Sequence, residues 1–263
     1  MLLAIKIGNT NVGLALCAVD AHWLGHWRAQ SRPDSTADEY AALVEGFFES
    51  SRFSPRTVTA AIIVSVVPAL TQTLVQMCRE HFGVVPLLVT SDCNLGLRIV
   101  YDDPRSLGMD RLVPCVAAKA KYGVPALVVD FGTATTFNAL NRDGDFVGGA
   151  IAPGMNMIAD ALHLFTARLP RVDIAAPSQV IATNTNDGLR AGVFYGYLSL
   201  IEGLARRTLD EMNTPTAPVI ATGGLARIVA PHIPLIHAVD MELPYEGLRL
   251  IHELNKDQEN HNK

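Results

Sequence analysis

The chain opens with short unbroken apolar runs: LLAIKI (2–7) and VGLALCA (12–18) flank a polar turn at Gly8 to Thr10. Runs of this length bounded by turn residues predict two buried strands joined as a glycine-turned hairpin. The period then changes. From Thr36 the residues TADE predict a capping box, and Tyr40, Leu43, Val44, Phe47 and Phe48 recur at helical spacing, so an amphipathic helix is expected to follow. The run 58–64 predicts a strand, Pro68 opens a helical stretch to about His81, and VVPLLV (84–89) predicts another strand. LVPCVAAKAKY (112–122) has a helical pattern, with Pro114 expected in the first turn, where its missing N–H would go unused anyway. Trp23 and Trp27 alternate with polar residues and are expected to pack a strand face.

The opening pattern then recurs. ALVVDFGTATTFNAL (126–140) repeats the order strand, glycine turn, strand, and superposes on 3–16 when 124 is subtracted, so that Gly132 falls on Gly8 and Asp130 on Lys6. An NRDG turn (141–144), a strand at 145–151, a helix from about Asn186 to Met212, a strand at 217–221 running into Gly223 and Gly224, and a last helix starting near Tyr245 complete the pattern. The polar end NKDQENHNK is expected to fray. A duplicated α/β protein follows, with lobes at 1–115 and 116–263 and a ligand cleft between them.

Composition narrows the function class. Hydrophobic residues make up 49% of the 263 and charged residues 18%, enough apolar content for a substantial core and no sign of disorder. No apolar run reaches the roughly 18 residues of a membrane span, and no early stretch reads as a secretion signal, so a cytoplasmic location is expected. The four cysteines, Cys17, Cys78, Cys93 and Cys115, are scattered and without metal spacing, which fits reduced thiols. A net charge of −5 disfavours a nucleic-acid footprint, and nothing suggests a membrane partner. The expected ligand is small.

Several residues suit phosphate chemistry. The tips Gly8-Asn9-Thr10 and Gly132-Thr133 let backbone N–H groups approach an anion; either alone is also an ordinary hairpin turn, and their repetition favours the anion reading. Asp130 ends an apolar strand, where a carboxylate suits a cation or a metal-bound water, the alternative being an acceptor for turn N–H groups. In LGMDRL, Asp110 can accept a hydroxyl proton and Arg111 can clamp an anion, the alternative being a helix N-cap beside a surface arginine. His163, on an expected helix, suits packing or surface better than catalysis.

GNTN (8–11), SVVP (65–68), YDDPRSLGMDR (101–111), VDFGTATTF (129–137), GGAIAPGM (148–155), LPRV (169–172), ATGGLA (221–226) and EGLRLI (246–251) together resemble the type III pantothenate kinases, in order and over nearly the whole chain. That resemblance implies two ribonuclease-H-like lobes of the acetate and sugar kinase, heat-shock 70 and actin superfamily around a central nucleotide cleft, in a homodimer. The implied activity is ATP-dependent phosphorylation of pantothenate to 4'-phosphopantothenate, the first step of coenzyme A biosynthesis, with Mg2+ and a monovalent cation, K+ or NH4+. It places ATP on Lys6, Ile7, Gly8, Asn9, Thr10, Asn11, Val12 and Gly13, on Thr133, and on Gly223 and Gly224 at the adenosine side. Pantothenate falls to Tyr101, Gly108, Met109, Asp110, Arg111 and Thr185, with Asp110 the general base and Asp130 the monovalent-cation ligand. One position departs from the pattern: Lys6 stands where the family usually has an aspartate that helps hold magnesium. The alternative function is therefore a catalytically impaired homologue acting as a nucleotide-binding accessory protein. Another sugar or acid kinase of the superfamily is disfavoured by the pantothenate-side residues.

Overall fold

The computed structural model describes residues 1–259. The chain forms two units, one of Met1–Ala120 together with the chain from Glu242 onward, the other of Lys121–Met241.

The first unit is built on a five-stranded sheet of β1 (Leu2–Ile7), β2 (Asn11–Cys17), β3 (Trp23–Gln30), β4 (Ala60–Ser65) and β5 (Leu87–Leu88) in the order β3-β2-β1-β4-β5. β1 is antiparallel to β2 and β2 to β3, whereas β1 is parallel to β4 and β4 to β5. Alternation along β1 and β2 sends Leu3, Ile5, Ile7, Val12, Leu14 and Leu16 to one face, where they bury against α1 (Ala37–Ser50) and α2 (Pro68–His81). The capping box of α1 forms as expected: Glu39 N–H donates to Thr36 Oγ1 at 3.3 Å and Thr36 N–H donates to Glu39 Oε2 at 2.7 Å. Its buried stripe runs through Tyr40, Ala41, Val44 and Phe48, leaving Leu43 exposed.

Four readings change, three of them local. The strand expected over 84–89 shrinks to β5, because Pro86 has no N–H for the ladder and Val84 N–H instead closes on Cys78 O at 3.0 Å. The helix expected from Leu112 is α3 (Met109–Tyr122), whose start is set when Arg111 N–H donates to Gly108 O at 3.1 Å; Pro114 thus lies inside the helix rather than in its first turn. Trp23 and Trp27 pack opposite faces. A register shift where β2 meets β3 at Leu16/Cys17 sends Trp27 to Phe47, Phe48 and Phe53, and Trp23 to Tyr245. The fourth change is global: α7 (Leu243–Glu259) belongs to the first unit, not to the second half of the chain. Gly247 lies so close to the Val113 carbonyl that no side chain fits, and Asn255 exchanges hydrogen bonds with the backbone of Asn94, both at 2.9 Å. The helix continues through the polar stretch expected to fray as far as Glu259, and residues 260–263 lie outside the described residues.

The second unit repeats the first sheet with β6 (Ala126–Phe131), β7 (Ala134–Leu140), β8 (Phe146–Pro153), β9 (Val219–Thr222) and β10 (Ala238–Val239) in the order β8-β7-β6-β9-β10 and with the same strand directions. The core faces α4 (Met155–Leu164) and α5 (Thr185–Glu211), with the short α6 (Ala226–Val229) after β9. The repeat is not uniform. Lys6 pairs with Gly13, seven residues on, whereas Asp130 pairs with Thr136, six residues on, so the second hairpin is one residue tighter and the sequence offset holds only through its glycine.

Candidate functional site

In each unit the glycine-turn candidates lie beyond the carboxyl ends of the two central parallel strands, where open α/β sheets bind ligands. In the first unit the turn after β1 is closed by Gly8 N–H donating to Asn11 O at 2.9 Å and tied to the chain after β3 by Ser31 Oγ donating to Gly8 O at 2.5 Å. Asn9, Thr10 and Asn11 are exposed at its tip, and Ile7 and Val12 are buried beneath it as register partners. SVVP follows β4, and Val66 N–H donates to Ile7 O at 3.0 Å. Val66 in turn touches the place a side chain would take at Gly108. The glycine turn and the start of α3 therefore share one end of the sheet.

At that helix start the Asp110 carboxylate folds back over Gly108, with Oδ1 2.6 Å from where a β-carbon would sit, so glycine is required for this approach. Arg111 is buried, Asp110 and Met109 are half-buried, and Tyr101 is exposed in the preceding loop. Thr185 lies on a separate element as the first residue of α5, next to Asn184, whose Oδ1 caps the helix by accepting from Asp187 N–H at 3.0 Å. His163 is exposed, its Nδ1 3.0 Å from Leu169 O, a surface role as expected.

Lys6 heads a row across the first sheet: Arg28, Gly13, Lys6 and Val64 are successive register partners. The missing side chain of Gly13 is replaced from α7, since a β-carbon there would collide with the Tyr245 hydroxyl. The Tyr245 ring is held by His26 and Trp23, centroids 5.1 and 6.1 Å away. Burial pushes its phenol pKa up while the positive charges of Lys6 and Arg28 pull it down. Sequence reading missed Arg28 and Tyr245, which reach this row only through strand pairing and the returning helix.

In the second unit the equivalent row is Ile151, Thr136, Asp130 and Thr222. The β6–β7 turn carries Gly132 and Thr133, and Gly154 packs onto the Thr133 carbonyl too closely for any side chain. Gly223 has φ +92°, and a β-carbon on it would strike the Asp130 carboxylate and the Phe131 backbone; Gly224 beside it is open. Thr222 is fully buried and its Oγ1 has no hydrogen-bond partner. It too was missed, although a hydroxyl at the end of an apolar strand before two glycines was a readable signal. An oxygen-rich row around one carboxylate has the donor chemistry that suits a cation.

Comparison with known proteins bears on family and fold. Residues 2–207 match the family model for type III pantothenate kinase. The chain is 44% identical over 256 residues to a type III pantothenate kinase of Gluconobacter oxydans, covering 97% of this chain and 94% of that one. Among solved structures, a conserved putative Baf family transcriptional activator from Campylobacter jejuni matches with TM-score 0.61 at 19% identity, over 97% and 99% of the two chains. The activator of 2-hydroxyisocaproyl-CoA dehydratase from Clostridium difficile, with bound ADPNP, matches with TM-score 0.53 at 10% identity, over 98% and 97%. Those two likenesses concern the fold alone, the pair of mixed α/β sheets with matching strand order described above. Family model and sequence identity over almost the full length lead to one statement: the chain belongs to the type III pantothenate kinase family.

Proposed function

We propose that this protein transfers the γ-phosphoryl group of ATP to pantothenate, forming 4'-phosphopantothenate at the entry to coenzyme A biosynthesis. The observation that carries the reading is the meeting of the Gly8 turn with the Gly108–Asp110–Arg111 helix start at one end of the first sheet, in a chain 44% identical to a pantothenate kinase. Asp110 takes the proton of the pantothenate hydroxyl as its oxygen attacks phosphorus, and Arg111 holds the substrate carboxylate. Tyr101, Met109 and Thr185 complete the substrate contacts. Backbone N–H groups at the exposed tip of the 8–13 loop and of Thr133 offset phosphate charge, the Gly223–Gly224 turn receives adenosine, and the Lys6 ammonium adds a point charge beside the first loop. Magnesium, when bound with ATP, neutralises charge on the transferring group. Asp130 is a ligand of a monovalent cation, K+ or NH4+.

The proposed assembly is a homodimer, supported by apolar side chains exposed on β8 and α4, namely Val147, Ile151, Met157 and Leu164, and its proposed location is the cytoplasm; among the described residues no helix is long and apolar enough to cross a membrane. Light scattering tests the mass. The activity is tested by mass spectrometry of phosphopantothenate after incubation with ATP, magnesium, potassium and pantothenate. Binding of ATP without product would turn the assignment to a nucleotide-binding accessory protein.

A further inference from the structure

Thr222 has no role in the activity proposed above, yet it is fully buried with its Oγ1 unpartnered. Stranding a hydroxyl in this way costs about 1–3 kcal/mol, and valine would fill the same space without it. Its position gives the hydroxyl a use. Thr222 is the register partner of Asp130 across β6 and β9. The residues before them, Val129 and Ala221, belong to the core under α5, so Asp130 and Thr222 both face the other side of the sheet. On the far side of Asp130 the row continues with Thr136, whose Oγ1 accepts from Asn138 Nδ2 at 3.0 Å. One carboxylate thus stands between two hydroxyls on neighbouring strands, spaced at roughly 4.8 Å by the sheet. Gly223 closes the turn directly onto that carboxylate.

We propose that Thr222 Oγ1 is a direct ligand, beside Asp130, of a bound monovalent cation. This rests on the reading of Asp130 as a cation ligand. A hydroxyl adds a coordinating oxygen without adding charge, so the pair offers one negative charge to one positive charge. Magnesium is less well served, because it keeps several waters and demands near-octahedral oxygens, and among the described residues no three His, Cys, Asp or Glu side chains converge to hold a metal ion. An ammonium ion would use the same two oxygens as hydrogen-bond acceptors.

The test is thermal unfolding of the full chain titrated with KCl, at ionic strength held constant with choline chloride and with neither ATP nor pantothenate present. A ligand that binds only the folded state raises Tm with concentration. The parent is expected to show a K+-specific rise. Thr222→Val is expected to need about tenfold more K+ for the same rise, while in choline alone it is at least as stable as the parent, since no hydroxyl is stranded. Thr222→Ser keeps the hydroxyl and is expected to keep the parent's K+ midpoint. A Thr222→Val chain with the parent's K+ response would overturn the proposal, and so would a parent without any K+-specific response. Because no substrate is present, failure here is distinguishable from failure of the phosphopantothenate assay.

Discussion

The rows through Lys6 and through Asp130 occupy the same place in two sheets of identical topology and carry opposite chemistry. The first reads Arg28, Gly13, Lys6, Val64: two cations on either side of a glycine whose space is taken by the Tyr245 hydroxyl. The second reads Ile151, Thr136, Asp130, Thr222: a carboxylate between two hydroxyls, closed over by Gly223. A duplicated backbone therefore carries two basic side chains in one row and a carboxylate between hydroxyls in the other. The carboxylate of the first unit comes from a helix instead, as Asp110 at the start of α3. Topology sets where functional groups stand, and single side chains set their sign.

The largest expected effect tests that division of labour. Asp110→Asn keeps the shape at α3 but cannot take a proton, and turnover is expected to fall by roughly 10²–10⁴-fold with ATP affinity nearly unchanged. Phosphopantothenate formation and a separate ATP titration read the two quantities. Retention of most of the turnover would remove Asp110 from the role of base and leave the first unit without its acid–base group.

Next come the glycines that close each row. Gly223→Ala places a methyl against the Asp130 carboxylate and the Phe131 backbone at φ +92°, and is expected to lose about 3 kcal/mol of stability. Gly224→Ala, which meets open space, is expected to stay within about 0.5 kcal/mol of the parent. Chemical denaturation compares them, and equal losses would mean that the second row is not closed by backbone packing.

Lys6→Asp makes the two rows alike in charge. Turnover is expected to rise, by up to about a hundredfold if misplacement of the reacting groups now limits it, with little change in the KM for pantothenate. The variant should depend more steeply on magnesium, and initial rates across a magnesium titration decide the matter. No gain at any magnesium concentration would show that the cationic row is compatible with full activity.

The smallest effect sharpens the contrast between backbone and side-chain closure. Gly13→Ala collides only with the end of the Tyr245 side chain, so its expected loss of about 1–2 kcal/mol should be largely recovered in the Gly13→Ala, Tyr245→Phe double variant, a coupling of the kind double-mutant cycles measure. Additive losses would place the strain elsewhere.

Much of this arrangement was legible along the chain because its determinants are local. The two strand–glycine–strand units, the capping box at Thr36, the Asp130 strand end and the LGMDRL helix start are each written within a few residues, where backbone sterics and alternation act directly. Repetition of the first pattern revealed the duplication itself. Tertiary structure decided which residues stand beside them. Only strand register brings Thr222 to Asp130 and Arg28 to Gly13, and only a shift where β2 meets β3 separates Trp23 from Trp27. The return of α7 to the first unit rests on contacts between residues far apart in sequence, Asn255 with Asn94 and Gly247 with Val113, which no local period encodes. The sequence by itself determined the elements, their duplication and the family, because each depends on residue order over short spans. The sign and the completeness of each row depend on side chains that meet across strands, and those meetings exist only once the sheet has formed.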